Sequence, residues 1–242
     1  MPTTALIVAA GAGLRMGLST PKAFVPIAGR PLVALSLEAF ESHPGIDGMI
    51  LVAPADRLAE ARRIAAGFSK VRDVIAGGRR RQDSVKLGLD TLERMIDRER
   101  AGEQLVLVHD AARPLVEAWL IAAVIESAAR VGAAFPGIAP ADTVRQTAPA
   151  DAEGRADAAA TLDRRQLVLV QTPQGFRLPL LLEAYAGAGD EEFTDDAALV
   201  QRHGHPVEVV PGSSRNMKIT TSDDLEIAAA ILAAGNSLDG AR

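Results

Sequence analysis

Apolar residues along this chain fall into short aliphatic runs separated by longer stretches with helical spacing. The runs ALIVAA (5–10), GMILVA (48–53), KVRDVIAG (70–77) and QLVLVHD (104–110) have the length of strands and are rich in Val, Ile and Leu. Continuous apolar character, as over ALIVAA and GMILVA, is what a strand covered on both faces requires. Between them the spacing predicts helices over 31–42, 55–66, 82–100 and 117–131, so strand and helix alternate as in βαβ units around a parallel sheet. From about 138 to 176 the alternation stops. GIAPADTVRQT and RQLVLVQTPQGF predict two extended segments around a polar, Ala-rich insert, APADAEGRADAAATLD, which together read as a projecting β-arm. Helices are predicted again at 178–186 and 194–203, followed by a strand in PVEVVPG and a last helix in TSDDLEIAAAILAAG. That helix has Thr221, Ser222 or Asp223 available as N-cap and Gly235 as its stop. No linker composition or internal repeat divides the chain, so 1–242 is expected to be one domain carrying the arm as an insertion.

Composition narrows the class. With 242 residues, 48% of them hydrophobic and only 3% aromatic, the chain is long enough for a sizeable core built from aliphatic side chains. A formal net charge of -5 argues against general nucleic-acid binding, which needs clustered excess cations, so an anionic ligand has to meet a locally basic site. No cysteine is present, which excludes disulfides, thiolate metal sites and thiol nucleophiles. ALIVAAGAG is not a signal-peptide core, because no Lys or Arg precedes it and Arg15 closes it. No run approaches the roughly 18 apolar residues of a membrane span. A soluble, cytoplasmic protein without a membrane partner is expected.

The stretch AAGAGLRMGLSTPKAF (9–24) carries the first candidate chemistry. Against the P-loop pattern G-x-x-x-x-G-K-[ST], Met16 occupies the position of the second glycine and no Lys-Ser/Thr pair follows. Against G-x-G-x-x-G, Gly11 and Gly13 fit but Met16 fills the third glycine's place, with Gly17 one residue late. What the stretch has instead is Arg15 inside the loop and Lys22 after Pro21, whose ring fixes φ. Two cations beside backbone N–H groups suit a triphosphate that gains charge at one phosphorus during reaction. On glycines alone, a surface turn with charged neighbours fits equally well.

The longer pattern GAGLRMGLSTPKAFVPIAGRPLV is similar to the signature of nucleotidyltransferases that activate sugar phosphates. GGRRRQDSV (77–85), VHDAARP (108–114), PADTV (140–144), LDRRQL (162–167), QTPQGF (171–176), FTDDAALV (193–200) and NMKITTSDDLEIA (216–228) then follow in order. Together they resemble the family of 2-C-methyl-D-erythritol 4-phosphate cytidylyltransferases over nearly the whole chain. The resemblance implies a Rossmann-like α/β fold, a mostly parallel twisted sheet with helices on both faces. It also implies transfer of CMP from CTP to the polyol phosphate with release of pyrophosphate, in non-mevalonate isoprenoid synthesis, with Mg²⁺ as cofactor and a homodimer formed through the β-arm.

Roles for individual residues follow from the same resemblance. Arg15, Lys22 and Lys218 are the expected catalytic cations, and Ala10, Gly11, Ala12, Gly13, Gly78, Arg81 and Ser84 the nucleotide-binding set. Asp110, Arg113, Asp142, Thr143 and Arg164 are expected on the polyol phosphate, with Asp110 also the metal ligand and Arg164 reaching the site of the other subunit. Residue chemistry adds that Asp110 ends a predicted strand, at the edge where α/β sheets bind ligands. Arg79 and Arg80 read as a solvated turn. His109 is not expected to act as a base, because the attacking phosphate oxygen is already anionic. FTDDAAL reads as a helix N-cap with acids in the first turn. Three alternatives stay open: a cytidylyltransferase for another polyol phosphate such as ribitol 5-phosphate, a sugar-1-phosphate uridylyl- or thymidylyltransferase, and a noncatalytic nucleotide-binding module.

Overall fold

Side chains along the first strand, β1 (Thr3–Val8), alternate between two hydrophobic clusters: Ala5 and Ile7 enter one, Leu6 and Val8 the other. This explains why the run is apolar throughout instead of alternating with polar residues. The computed structural model describes residues 1–11, 20–96, 102–151 and 154–239, with side chains of the last helix up to residue 234.

After β1 come a 3₁₀ turn (Lys22–Phe24) and a small hairpin, β2 (Pro26–Ile27) with β3 (Arg30–Pro31). Helix α1 (Leu32–Glu41), β4 (Gly48–Ala53), α2 (Leu58–Ala65), β5 (Val71–Ala76), α3 (Arg81–Met95), β6 (Leu105–Asp110) and α4 (Ala118–Val131) then alternate as predicted. The predicted helix at 55–66 begins with a 3₁₀ turn (Ala55–Arg57), and part of the predicted 82–100 helix lies outside the described residues. The rest comprises β7 (Ala133–Ile138), β8 (Arg145–Thr147), β9 (Ala158–Thr161), β10 (Leu169–Val170), β11 (Gln174–Arg177), α5 (Leu178–Gly187), α6 (Asp196–Arg202), β12 (Glu208–Pro211) and α7 (Ser222–Asp239).

The main sheet has the order β10-β7-β11-β6-β1-β4-β5, with β12 added on β7. β1 runs parallel to both β4 and β6, whereas β11 lies antiparallel between β6 and β7. On one face, Val33, Leu37 and Phe40 of α1, Ala61 of α2, and Leu120 and Val124 of α4 cover the strands. Val85 and Leu89 of α3, Leu181 of α5 and Leu199 of α6 cover the other. Because β4 and β5 lie on one side of β1 and β6 on the other, the chain changes direction across the sheet beside β1. The carboxyl ends of strands at such a point leave a crevice for a ligand.

The extended region at 138–176 differs from its sequence reading. β7 begins at Ala133, before the predicted arm, and carries Pro136, which masked it as a strand because proline demotes a run. RQLVLVQTPQGF divides around the cis Thr172–Pro173 peptide into β10 and β11, both in the main sheet. Only β8 and β9 form a separate two-stranded hairpin, and every residue of both strands is exposed.

Candidate active site

A cleft of about 650 Å³ opens at the carboxyl ends of β1, β5 and β6. Each side of it is built by a short motif. From the first loop, Ala10 and Gly11 line the cleft, while Ala12, Gly13 and Arg15 lie outside the described residues. Lys22 also lines it. The backbone N–H of Phe24 bonds the Pro21 carbonyl, and that of Val25 the Lys22 carbonyl, while buried Ala23 and Phe24 anchor the turn in the core.

The glycine pair after β5 is required by packing. A methyl group on Gly77 would stand 2.3 Å from Ala10 Cβ and 2.8 Å from Ser84 Oγ, and one on Gly78 would stand 2.4 Å from Asp83 Cβ. Ser84, buried at the start of α3, accepts from the Gly78 N–H at 3.1 Å and donates to the Arg80 carbonyl at 3.1 Å. Its hydroxyl therefore shapes the wall of the cleft that it lines. Asp83 accepts from the Arg80 backbone N–H at 3.0 Å and side chain at 2.8 Å. The Arg80 hydrogen bond holds the Asp83 carboxyl below its usual range. Arg79 and Arg80 line the cleft alongside Arg81, a closer placement than a solvated turn.

At the centre, five side chains from four elements and the loop after β12 form one chain of hydrogen bonds. Tyr185 Oη donates to Asp196 Oδ1 at 2.6 Å, and Asp196 Oδ2 accepts from Arg81 Nη1 at 2.8 Å. Arg81 Nε donates to Asp110 Oδ1 at 2.9 Å, and Asp110 Oδ2 accepts from Lys218 Nζ at 2.6 Å. Burial alone would raise the Asp110 carboxyl, but Arg81 and Lys218 outweigh it and hold the group well below the ordinary carboxylate range. For Tyr185, burial and the Asp196 charge both act upward. Asp196 went unrecognised in the sequence. Asp195 is the N-cap of α6, accepting from the Ala198 N–H at 2.7 Å, and Asp196 points inward, only 1% exposed. An acidic pair before an apolar run fits a cap and a dipole charge equally, so nothing local distinguished the inward residue.

Behind Asp110 lies a second buried network. His109 Nε2 meets the Arg113 carbonyl at 3.1 Å and its Nδ1 meets Thr172 Oγ1 at 3.2 Å, while Thr172 Oγ1 accepts from the Asp110 N–H. These partners fit a neutral imidazole with its proton on Nε2. Burial pushes the His109 pKa down to about 3. Arg113 does not line the cleft: its guanidinium donates to the carbonyls of Asn216 at 2.8 Å and Val170 at 3.2 Å. It ties the C-terminal motif to β10. Asp142, Thr143 and Arg164 are exposed and lie outside the cleft lining, with Arg164 donating to the Ala141 carbonyl beside Asp142. The structure therefore brings Ala10, Gly11, Lys22, Gly78, Arg81, Ser84, Asp110 and Lys218 together, and leaves the flanks of the β8–β9 hairpin apart from them.

Among the described residues, no three His, Cys, Asp or Glu side chains cluster as a metal cage. Asp110 is the single carboxylate among the described residues of the cleft lining, and both of its oxygens meet cations. That donor set fits a magnesium ion that keeps its waters and arrives on a polyphosphate, and does not fit an ion enclosed by protein ligands.

A mostly parallel α/β sheet with a cation-lined cleft at its switch point defines the class: an α/β protein built to hold an anionic ligand at the carboxyl ends of its strands. The sequence profile of 2-C-methyl-D-erythritol 4-phosphate cytidylyltransferase matches residues 3–234, and the chain belongs to that family. It is 41% identical over 237 residues to the 2-C-methyl-D-erythritol 4-phosphate cytidylyltransferase of Saccharopolyspora erythraea, covering 96% of this chain and 100% of the relative. It is 45% identical over 231 residues to the bifunctional enzyme IspD/IspF of Solidesulfovibrio magneticus, covering 91% of this chain but 54% of that protein. The chain thus spans about half the length of the bifunctional relatives it matches. The crystal structure of 2-C-methyl-D-erythritol 4-phosphate cytidylyltransferase from Thermus thermophilus superposes with a TM-score of 0.72 at 35% identity, covering 96% of this chain and 98% of that one. Among the described residues no helix is long and apolar enough to cross a membrane.

Proposed function

We propose that this chain transfers CMP from CTP to 2-C-methyl-D-erythritol 4-phosphate, releasing pyrophosphate, as a cytoplasmic enzyme of non-mevalonate isoprenoid synthesis. The observation that carries the reading is the convergence of Lys22, Lys218 and the Arg79–Arg81 run on one cleft whose single described carboxylate is already neutralised. Such a cleft attracts a polyanion and holds it at a fixed place.

In this reading a 4-phosphate oxygen attacks the α-phosphorus in line, and pyrophosphate departs from the opposite side. The nucleophile carries its own negative charge, so no general base is needed, which fits a neutral His109 turned away into the core. Lys22 and Lys218, with Arg15, stabilise the charge that grows around the α-phosphate, and positioning supplies most of the remaining acceleration. Ala10, Gly11, Ala12, Gly13, Gly78, Arg81 and Ser84 shape the nucleotide pocket. Magnesium bound to the triphosphate would neutralise part of its charge, with Asp110 the carboxylate placed to face it. Asp142, Thr143 and Arg164 belong to a site that two subunits complete, the β8–β9 hairpin of one reaching the cleft of the other. Arg113 supports that site from behind. The chain is read as one nucleotidyltransferase domain.

A pyrophosphate-release assay with Mg²⁺ across CTP, UTP, 2-C-methyl-D-erythritol 4-phosphate and ribitol 5-phosphate tests the reading. Release confined to CTP with the methylerythritol phosphate supports it. Preference for ribitol 5-phosphate or UTP reassigns the substrate, and CTP binding without release for any alcohol phosphate removes the activity.

A further inference from the structure

We propose that Asp196, oriented by Tyr185 and Gln174, is a positioning residue that sets the cleft lysine Lys218 by way of Arg81 and Asp110. The inference rests on the nucleotidyltransferase reading for its kinetic consequences.

The geometry supports a relay with one fixed end and one free end. Gln174 Oε1 accepts from the backbone N–H groups of Asp196 at 3.1 Å and Ala197 at 3.0 Å, which pins the first turn of α6 to β11. Tyr185, buried on α5, fixes the Asp196 carboxylate at Oδ1 while Arg81 holds Oδ2. Side-chain exposure is 1% at the Asp196 carboxylate, 11% at the Asp110 carboxylate and 37% at Lys218. Lys218 is therefore the most accessible member of these ion pairs, and its amine is held by Asp110, whose other oxygen is held by Arg81.

Stability alone is a poor reason for this arrangement. An arginine with 26% of its side chain exposed, held between two carboxylates of 11% and 1% exposure, suffers part of a desolvation cost that well-packed apolar residues would avoid. Arg81 Nη2 is moreover buried with no hydrogen-bond partner, so the guanidinium is oriented by its two carboxylates at the cost of its third nitrogen. What the arrangement does provide is a rigid seat for Asp110. Without the Asp196 charge, Arg81 keeps a single carboxylate and can swing with it, and Lys218 loses its fixed anchor.

The test compares wild type, Asp196→Asn, Lys218→Ala and the double variant, with Asp195→Ala as a control that weakens the same helix cap without touching Arg81. Asn at 196 can still accept from Arg81 and donate to Tyr185 Oη, so it removes charge with little change of shape. In folded Asp196→Asn, kcat is expected to fall about tenfold while KM for CTP changes less than about threefold, because a misplaced transition-state group costs rate more than ground-state binding. In the Lys218→Ala background the same substitution should cost less than about twofold, the non-additivity of two residues acting through one group. Asp195→Ala should lower the melting temperature and leave both constants near wild type. Independently of turnover, acetylation of Lys218 by acetic anhydride, read by peptide mass spectrometry against exposed Lys86, should accelerate at least about threefold in Asp196→Asn as the amine loses its fixed partner.

Equal losses from Asp196→Asn in both backgrounds, or unchanged kcat in the folded single variant, overturn the proposal. A wild-type protein silent with CTP and every alcohol phosphate removes the functional reading instead. The acetylation rate then decides the relay by itself, an unchanged rate overturning it.

Discussion

Lys218 Nζ donates to Asp110 Oδ2 at 2.6 Å, so a loop after β12 and the carboxyl end of β6 meet in one ion pair at the mouth of the cleft. Asp110 also holds Arg81, and its replacement by Asn would release two cations together. Arg81 keeps Asp196 and Lys218 keeps partial access to water, which limits the stability loss to about 1–3 kcal/mol, below the full cost of breaking a buried pair. Turnover should fall further, by roughly 10²–10³ fold, the effect of losing one preorganised electrostatic group. Urea denaturation and pyrophosphate release on the same preparation separate these effects. Near-normal turnover in a folded Asp110→Asn protein would remove Asp110 from the mechanism.

Gly77 is held to glycine by contact. A β-carbon there would meet the Ala10 β-carbon in the loop after β1 at 2.3 Å and Ser84 Oγ at 2.8 Å. Neither obstacle is the far end of a long flexible side chain, so the first loop and the start of α3 would have to separate. Gly77→Ala should therefore cost about 1–3 kcal/mol, as overpacking does. For a chain of this length that is a fall in melting temperature of about 2–4 °C per kcal/mol. A thermal melt equal to wild type would show that the walls yield freely.

The difference between these sites and the rest of the cleft also marks what the sequence could reveal. β1, β4 and β6 were legible because burial on both faces leaves a continuous aliphatic run, as at Leu6 and Ile7, while the edge strand β5 keeps Val71, Val74 and Ile75 among polar residues. β7 was not, since Pro136 sits inside it, and β10 and β11 merged into one run because LVLV carries no mark of the turn that follows. Within the site, Lys22, Asp110 and Lys218 were found through motifs at fixed spacing. Asp196 escaped because its significance lies in a contact with Arg81 across 115 residues, and local pattern reports only the helix cap beside it. Arg113 shows the opposite case, a contact that its place in the sequence does not report. A guanidinium near a strand end suits phosphate, and here its Nη1 and Nη2 donate to the backbone carbonyls of Asn216 and Val170.

Arg164 lies beside the exposed β8–β9 hairpin and lines no part of its own chain's cleft. If it serves the other subunit of a homodimer, Arg164→Ala should raise KM for the polyol phosphate and leave KM for CTP near wild type, because only one substrate loses a contact. Mixing Arg164→Ala subunits with Lys22→Ala subunits gives a sharper result. In a mixed dimer one site combines an intact Lys22 with an intact Arg164, so random reassortment should restore about a quarter of wild-type activity from two impaired parents. A mixture no more active than its parents places Arg164 outside a shared site.

His109 gives a pH dependence that can be separated from catalysis. Burial lowers its folded-state pKa to about 3, against an ordinary value of 6.5. Between these values the unfolded chain binds a proton that the native protein does not, so stability rises with pH across that window and is lost as pH falls. One such proton corresponds to a slope of at most about 1.4 kcal/mol per pH unit, or about 2–3 kcal/mol between pH 6.5 and 4. Asp110 acts in the same direction but lower: its carboxyl is depressed in the fold, so its contribution is lost only as pH drops below the ordinary range near 3.8. Urea unfolding from pH 4 to 7 in metal-free buffer should therefore show a slope that His109→Gln flattens, since glutamine cannot titrate and can still donate to the Arg113 carbonyl. Parallel profiles for the two proteins would mean that His109 titrates alike in both states, which its burial against Phe40 and its bonds to Arg113 and Thr172 argue against.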